Sequence, residues 1–205
     1  MIDFSLYLIS DGDEVQAHRI ERALAALPRG STAIQLRARG LDGRSFFERA
    51  LRLREITRSH KAPLLVNDRI DVALAVGAEG VHLPTHGLPV KVARRISSTL
   101  WIGASTHSLP EARMAVAGGA HFITLGPVWS TMSHPETVPV GLGALSLVVT
   151  LPVPVFALGG IDADRATEVL RLGARIASLG AILGSIDAAA AAHPFALTLA
   201  KENTR

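Results

Sequence analysis

The stretch PLLVNDRIDVALAVGAEGVHLP, residues 63–84, contains two short apolar runs separated by a segment with helical periodicity. The runs at 63–67 and 80–84 have the length of buried strands, and the segment between them places apolar residues on one helical face. Gly77 marks the end of that helix, just before the second strand. The pattern predicts a strand–helix–strand unit with parallel strands.

The same alternation extends along the whole chain. The motif VGAEGV at 76–81 is echoed by AGGAHF at 117–122 and by RLGARI at 171–176, so the unit repeats. Eight strand–helix units are the number found in a (β/α)8 barrel. We therefore predict an α/β fold with a single (β/α)8 TIM-barrel domain over residues 1–205. The predicted strands lie at 6–10, 33–37, 63–67, 80–84, 101–105, 122–126, 155–160 and 176–182.

The composition excludes several classes of protein. Hydrophobic residues make up 48% of the chain and aromatic residues only 4%, so the predicted core is aliphatic. The absence of cysteine excludes disulfides, thiolate metal sites and cysteine nucleophiles. No apolar run reaches the ~18 residues of a membrane span, and the first residues do not resemble a signal peptide. We expect a cytoplasmic protein with no membrane partner.

The net charge of +3 does not indicate a nucleic-acid surface. The arginines of the predicted helix at 45–59 are interleaved with Glu48 and Glu55, which is typical of a solvated helix face. No aromatic residues that could stack on bases accompany them, so we predict no nucleic-acid partner.

Candidate phosphate-binding residues follow several of the predicted strands, at the end of the barrel where chemistry collects. Gly159 and Gly160 follow the seventh strand, and Gly180 lies near the end of the eighth. Backbone N–H groups at these two strand ends frequently bind phosphate in such barrels. Arg37 and Arg39 follow the second strand and can hold an anion. No lysine stands at a strand end, which disfavours a Schiff-base aldolase.

Several segments together resemble the family of thiamine phosphate synthases and TenI-like proteins. The resemblance implies a (β/α)8 barrel, in agreement with the strand count. It also implies that the partners are small phosphorylated thiazole or pyrimidine metabolites, and that the chain forms a homodimer. The segments, in order, are QLR at 35–37, LLVNDRIDVALAVGAEGVHL at 64–83, IGASTHSLPEA at 102–112, GPVWST at 126–131 and PVFALGGI at 154–161.

The resemblance implies one of two reactions. The synthase joins an aminopyrimidine diphosphate to a thiazole phosphate and releases pyrophosphate with Mg²⁺. The TenI branch aromatises a thiazole tautomer that carries a carboxylate and a phosphate, without a metal or a leaving group. Departing pyrophosphate develops negative charge and requires cations, whereas a proton shift requires a group that titrates near neutral pH.

The sequence departs from the synthase pattern at several positions. Synthases usually read QLREK where this chain has QLRAR at 35–39, so Arg39 replaces a lysine. The loop in HLPTHG at 82–87 lacks the family's metal-binding carboxylate, which leaves Asp68 without its expected partner for Mg²⁺. His134 replaces another lysine.

Other positions do not agree on one branch. Asn67, like Asp68 beside it, matches the synthase pattern, whereas Gly180 stands where the family usually has serine. The LPT form at 83–85 is closer to the TenI branch. The motifs therefore do not sort the chain cleanly into one branch.

His107 is the first candidate for proton transfer. It follows the fifth strand in ASTHS, and the resemblance implies that the TenI branch uses the matching histidine. An imidazole with a pKa of ~6.5 can take and return a proton at neutral pH. The alternative is that His107 caps the next helix. Asp68 is the second candidate base, and its alternative role is the N-cap of a helix at 70–76.

Three functions follow from these observations. We favour a TenI-like thiazole tautomerase in which His107 transfers the proton and Arg37 or Arg39 binds the carboxylate of the substrate. Gly159 and Gly160 then bind its phosphate, and no cofactor is required.

The second alternative is a thiamine phosphate synthase in which Arg37, Arg39 and His134 bind the pyrophosphate and Asp68 alone helps to hold Mg²⁺. The third is a non-catalytic barrel that binds thiazole phosphate or thiamine phosphate. The candidate site comprises the catalytic residues His107 and Asp68 and the substrate- and phosphate-binding residues Arg37, Arg39, Asn67, Ser105, Thr131, His134, Gly159, Gly160 and Gly180.

Overall fold

Parallel strands close into a barrel in the order in which they occur along the chain, and the last strand pairs with the first. The structure is a computed structural model that describes residues 2–131 and 135–202. The predicted α/β fold, a (β/α)8 barrel, is confirmed. The strands are β1 (Leu6–Ser10), β2 (Thr32–Leu36), β3 (Leu64–Asn67), β4 (Gly80–Leu83), β5 (Trp101–Thr106), β6 (Phe122–Leu125), β7 (Val155–Leu158) and β8 (Arg175–Ser178).

A helix follows every strand and covers the outside of the barrel. The stretch 63–84 forms two strands around a helix, and Leu65 of β3 is paired with Gly80 of β4 in parallel register. The prediction of one domain over residues 1–205 extends beyond the described residues and stays a prediction. The helices are α1 (Glu14–Ala26), α2 (Gly43–Ser59), α3 (Ile70–Ala75), α4 (Val90–Ile96), α5 (Leu109–Ala117), α6 (Gly141–Val148), α7 (Ala163–Arg171) and α8 (Ala188–Glu202).

The last two strands are shorter than the sequence predicted. The run at 155–160 was expected to be extended throughout, but β7 ends at Leu158 because Gly159 and Gly160 have φ angles of +101° and +66°. Such angles lie outside the β region and turn the chain away from the sheet. The run at 176–182 likewise leaves the sheet after Ser178. Both departures place glycine backbone at the carboxyl end of the barrel.

The core has two parts with different compositions. Between the barrel and its helices it is mainly aliphatic, as predicted. Inside the barrel, the rings of Phe4, Tyr7, Phe122 and Phe156 pack with centroids 5.0–5.9 Å apart. The few aromatic residues are concentrated here because large side chains are needed to fill a barrel interior. Gly103 makes room, since a Cβ at that position would overlap the Phe122 ring.

Across the described residues, no helix is both long enough and apolar enough to span a bilayer.

Candidate active site

A cavity of about 820 Å³ opens at the carboxyl ends of the strands, above the aromatic interior. Most of the predicted site residues meet there, although they come from different parts of the chain. Two do not: Asp68 is absent from the cavity lining, and His134 lies outside the described residues. The predicted residues that line the cavity are Arg37, Arg39, Asn67, Ser105, His107, Thr131, Gly159, Gly160 and Gly180.

The ends of β7 and β8 form one corner of this cavity, which we call the glycine corner (Gly159, Gly160 and Gly180). The backbone N–H groups of these three glycines donate to no carbonyl or side chain within residues 2–131 and 135–202. Backbone N–H groups that converge at the ends of these two strands can bind an anion. A Cβ at Gly160 would lie 2.7 Å from the carbonyl oxygen of Ser130, so no larger residue fits without a shift of the backbone.

Arg165 of α7 contacts the glycine corner and stabilises it. Its Nη1 donates to the carbonyl oxygen of Gly160 at 2.6 Å, and its guanidinium lies 5.2 Å from the ring centroid of Trp129. Asp162 caps α7 by accepting from the backbone N–H of Arg165 at 2.9 Å. These contacts hold the Gly160 peptide in place. The sequence carried no signal for Arg165, because its partners are a backbone oxygen and a ring on another loop.

Arg37 and Arg39 supply positive charge from the end of β2, which β1 separates from β8. Arg37 is half-buried and Arg39 is exposed. Neither forms an ion pair with a carboxylate in the described part of the chain. Burial, followed by the charge of Arg39, lowers the pKa of Arg37. Two guanidinium groups of like charge at one cavity wall favour an anionic ligand with several oxygens, such as a phosphate.

His107 stands at the cavity mouth, directly after β5, with an exposed side chain. Its Nδ1 is hydrogen-bonded to the carbonyl oxygen of Gly126. A carbonyl can only accept, so Nδ1 carries the proton and Nε2 of the neutral ring is left as the basic nitrogen. The alternative role of His107 as a helix cap is wrong, because Ser108 is the N-cap of α5 and accepts from Glu111 N–H.

Polar side chains from β2 to β5 form the floor of the cavity. Gln35 Nε2 donates to Asn67 Oδ1 at 3.1 Å, which fixes the orientation of the Asn67 amide. His82 Nε2 lies 3.0 Å from Ser105 Oγ. Burial, followed by the charge of Arg37, lowers the pKa of His82 to about 3, so this imidazole is neutral.

Asp68 does not have the role of helix cap that the sequence suggested. The N-cap position of α3 is Arg69, which makes no side-chain capping bond. Asp68 has a φ of +62°, whereas capping residues use extended backbone. Its N–H donates to the carbonyl oxygen of His82 at 3.0 Å. Its carboxylate is directed at Gly87, where a Cβ would lie 2.6 Å from Oδ1.

The residues around Asp68 do not fit a magnesium ion held by the protein alone. Mg²⁺ requires six oxygen ligands in near-ideal octahedral geometry. Asp68 supplies one carboxylate, and its neighbour Gly87 has no side chain to supply a second. Among the residues that the structure describes, no group of three or more His, Cys, Asp or Glu side chains could hold a metal.

The cavity lining also includes residues that the sequence analysis did not select. His86 and Thr85 line it from the loop after β4, and Asp162 lines it from the N-cap of α7. His86 lies in the loop that follows a predicted strand, so its position alone was a usable signal. A histidine in that loop is not part of the metal-binding pattern that the resemblance implies, so no motif pointed to His86.

The fold and the cavity together define a class: a (β/α)8 barrel with a polar cavity at the carboxyl ends of its strands. The sequence model of the family described as thiamine monophosphate synthase matches residues 6–182. The chain belongs to this family, and it is an enzyme. The family resemblance found in the sequence is therefore confirmed.

Similar proteins cover nearly the whole chain. A protein named thiamine-phosphate synthase from Chloroflexus aurantiacus is 39% identical over 198 residues, which is 94% of this chain and 91% of its own length. One of the same name from Caldanaerobacter subterraneus is 39% identical over 91% of this chain and 88% of its own length. The solved structure of thiamine phosphate pyrophosphorylase from Pyrococcus furiosus superposes with a TM-score of 0.88, at 34% identity and 98% coverage of both chains.

Proposed function

We propose that the chain is a thiamine-phosphate synthase, which joins an aminopyrimidine diphosphate to a thiazole phosphate and releases pyrophosphate. The main support is its 39% identity to the synthase of Chloroflexus aurantiacus over almost the full length of both chains. The comparisons thus favour the synthase, the second of the three alternatives drawn from the sequence, over the thiazole tautomerase.

The proposed reaction forms one bond and breaks one. The lone pair of the thiazole nitrogen attacks the methylene carbon of the aminopyrimidine, and the bond from that carbon to the diphosphate oxygen breaks. The electron pair leaves with the pyrophosphate, whose negative charge therefore increases in the transition state. Cationic groups that meet this charge accelerate the reaction, because they bind the transition state more tightly than the substrate.

The two sides of the cavity suit the two phosphorylated substrates. Arg37 and Arg39 form no ion pair with a described carboxylate and can bind the leaving diphosphate. The glycine corner presents backbone N–H groups that can bind the single phosphate of the thiazole. Asn67, Ser105 and Thr131 line the space between and can contact the two rings.

Magnesium is implied by the family resemblance, but the residues around Asp68 do not form a protein-held site for it. We therefore assign the binding of the diphosphate to the arginines and no step to the metal. Any Mg²⁺ that takes part would be held mainly by the oxygens of the diphosphate.

A thiazole tautomerase is the second candidate, and His107 is the observation that favours it. The bond from Nδ1 to Gly126 leaves Nε2 of His107 available as a base at the cavity mouth. The joining reaction moves no proton between carbon atoms, so a synthase does not require that base. The role of His107 therefore separates the two functions.

The proposal is tested by giving the purified chain both sets of substrates in parallel. One reaction contains aminopyrimidine diphosphate, thiazole phosphate and Mg²⁺, and thiamine phosphate is measured by its conversion to a fluorescent thiochrome. The other contains the carboxylated thiazole tautomer, and its aromatisation is followed by absorbance. Turnover in the first reaction supports the synthase, whereas turnover in the second alone would replace it with the tautomerase.

A further inference from the structure

A side chain outside the cavity contacts one peptide of the glycine corner. Arg165 is absent from the cavity lining, yet its Nη1 donates to the carbonyl oxygen of Gly160 at 2.6 Å. It forms no ion pair with a carboxylate in the part of the chain that the structure describes. Its positive charge is therefore directed at a backbone carbonyl of the proposed phosphate site.

The peptide that Arg165 contacts also carries an N–H group with no acceptor. The bond between Gly160 and Ile161 is trans, so the C=O of Gly160 and the N–H of Ile161 point in opposite directions. Gly160 and Ile161 both line the cavity, whereas Arg165 does not. The N–H of Ile161 donates to no carbonyl or side chain within the described ranges. The oxygen of this peptide is turned toward Arg165, and its N–H is turned away from Arg165.

Trp129 restrains the guanidinium of Arg165. The guanidinium carbon lies 5.2 Å from the centroid of the indole ring, within the distance of a cation–π contact. The loop that carries Trp129 runs beside the glycine corner. The N–H of Trp129 donates to the Gly159 carbonyl oxygen at 3.1 Å, and the N–H of Val128 donates to that of Leu158 at 2.8 Å. Arg165 is thus held by contacts with both an aromatic ring and a backbone oxygen.

We propose that Arg165 is a positioning residue that turns the N–H of Ile161 into the cavity as a hydrogen-bond donor to phosphate. The hydrogen bond from Arg165 fixes the plane of the peptide before the ligand binds. Its charge also polarises the peptide, because hydrogen bonds in a chain strengthen one another. Ile161 thereby joins Gly159 and Gly160 as a third backbone donor. The inference rests on the proposed function for the identity of the phosphorylated ligand, but inorganic phosphate is sufficient to test it.

Two other roles of Arg165 predict different behaviour. If Arg165 only stabilised α7, its removal would lower the melting temperature and leave phosphate binding unchanged. If it acted only as a remote charge, its effect on binding would disappear at about 1 M salt, where the screening length falls to ~3 Å. A positioning residue should have an effect that persists at high salt and that appears at the amide of Ile161.

The amide of Ile161 tests the proposal without enzyme activity. In ¹⁵N-labelled full-length protein, inorganic phosphate should shift the amide proton of Ile161 downfield, as a new hydrogen bond does. The amide of Gly173 should not move, because it already donates to the Leu170 carbonyl oxygen at 2.9 Å. In Arg165→Met the shift of Ile161 should be lost. An Ile161 amide that ignores phosphate, or that responds equally in the variant, would overturn the proposal.

The affinity for phosphate provides the second measurement. Arg165→Met should raise the Kd for inorganic phosphate by ~10–10²-fold, the range for one hydrogen bond to a charged group. The factor should be the same at low salt and at about 1 M KCl. An unchanged Kd, or an effect confined to low salt, would overturn the positioning role. Neither result would affect the synthase function, which is judged by the formation of thiamine phosphate.

Arg171→Met is the matched control for the loss of charge. Arg171 lies in the last turn of the same helix, is exposed and forms no ion pair with a described carboxylate. Its substitution should leave the Kd for phosphate and the Ile161 amide unchanged. An equal rise in Kd in the two variants would show that net charge, and not the contact with Gly160, explains the effect.

Trp129→Leu tests whether the indole ring acts through Arg165. Alone, it should raise the Kd for phosphate by ~2–10-fold, the value of one cation–π contact. In an Arg165→Met background it should have no further effect, because the restrained guanidinium is already absent. Equal effects of Trp129→Leu in both backgrounds would contradict the proposed coupling between the ring, Arg165 and the Gly160 peptide.

Discussion

The two sides of the cavity present different parts of the chain to a ligand. On the side of β7 and β8, the glycine corner offers backbone N–H groups, and Arg165 fixes the Gly160 carbonyl from behind. On the side of β2 to β4, the groups that face the cavity are side chains, and Asp68 is turned toward Gly87 instead of the cavity.

The two sides of the cavity therefore place different requirements on the amino-acid sequence. A backbone site requires only a given path of the chain, so it does not depend on which side chains the reaction requires. Side chains determine how much positive charge lies near the other end of the substrate, and a single substitution can change that charge. In the proposed function the glycine corner serves either reaction, whereas the arginine side distinguishes a synthase from a tautomerase.

We expect the largest effect from Gly160→Asp, which changes the backbone side of the cavity. The new Cβ would lie 2.7 Å from the Ser130 carbonyl oxygen, and the carboxylate would repel a phosphate. Two charge-assisted hydrogen bonds would be lost, so the Kd for thiazole phosphate, measured by calorimetry, should rise by ~10²–10⁴-fold.

Gly173→Asp is the matched control. Gly173 also has a positive φ, of +83°, but nothing lies within 4 Å of its would-be Cβ. It carries the same backbone strain with no steric clash, and its Kd should equal that of the unmodified chain. Undiminished binding by the Gly160 variant would exclude the glycine corner as the phosphate site.

Arg37→Met should have the next largest effect, and it tests the side-chain side. The substitution keeps an unbranched apolar stem and removes the guanidinium whose charge is proposed to meet the leaving diphosphate. The loss of one charge-assisted contact should lower kcat/KM for thiamine phosphate formation by ~10–10²-fold. Arg52→Met, on the outer helix α2, provides the control. Equal kinetics for the two variants would mean that Arg37 does not bind the diphosphate.

His107→Asn should have a smaller effect on a synthase than on a tautomerase. Asparagine is polar and of similar size but cannot act as a base. Thiamine phosphate formation should fall by less than ~10-fold, whereas removal of a general base typically lowers a rate by ~10²–10⁴-fold. Steady-state kcat is the measurement that separates the two outcomes. A decrease of ~10²–10⁴-fold would support a role of His107 as the general base.

Asp68→Asn should have the smallest effect. The carboxylate does not line the cavity, so the Mg²⁺ concentration for half-maximal activity should rise by less than ~10-fold, the value of one exposed ionic contact at most. A titration of MgCl₂ at saturating substrate measures this shift. Loss of all magnesium-dependent activity would show that Asp68 turns into the cavity and holds the metal directly.

These two sides of the cavity also differ in how far the sequence predicted them. The repeated glycine motif located the strand–helix units, and Gly159, Gly160, Arg37 and Arg39 were placed correctly because strand ends converge in a barrel. Asp68 was not placed correctly, because its own left-handed backbone angle redirects its side chain. Neither composition nor periodicity predicts such an angle.

Contacts between distant segments were also beyond sequence reasoning. The stacking of Arg165 on Trp129 joins α7 to the loop after β6, and no local pattern links the two residues. The aromatic interior depends on Gly103, which reads as an ordinary strand residue until the Phe122 ring is placed against it. Such features follow from the closure of the barrel.

The most direct test of the synthase function is the stoichiometry of the joining reaction. Purified chain is incubated with aminopyrimidine diphosphate, thiazole phosphate and Mg²⁺, and pyrophosphate and thiamine phosphate are quantified in the same samples over time. We predict that both products accumulate in equal amounts and that omission of either substrate stops both. Pyrophosphate release without thiamine phosphate, or no release by a folded chain that binds both substrates, would contradict the assignment.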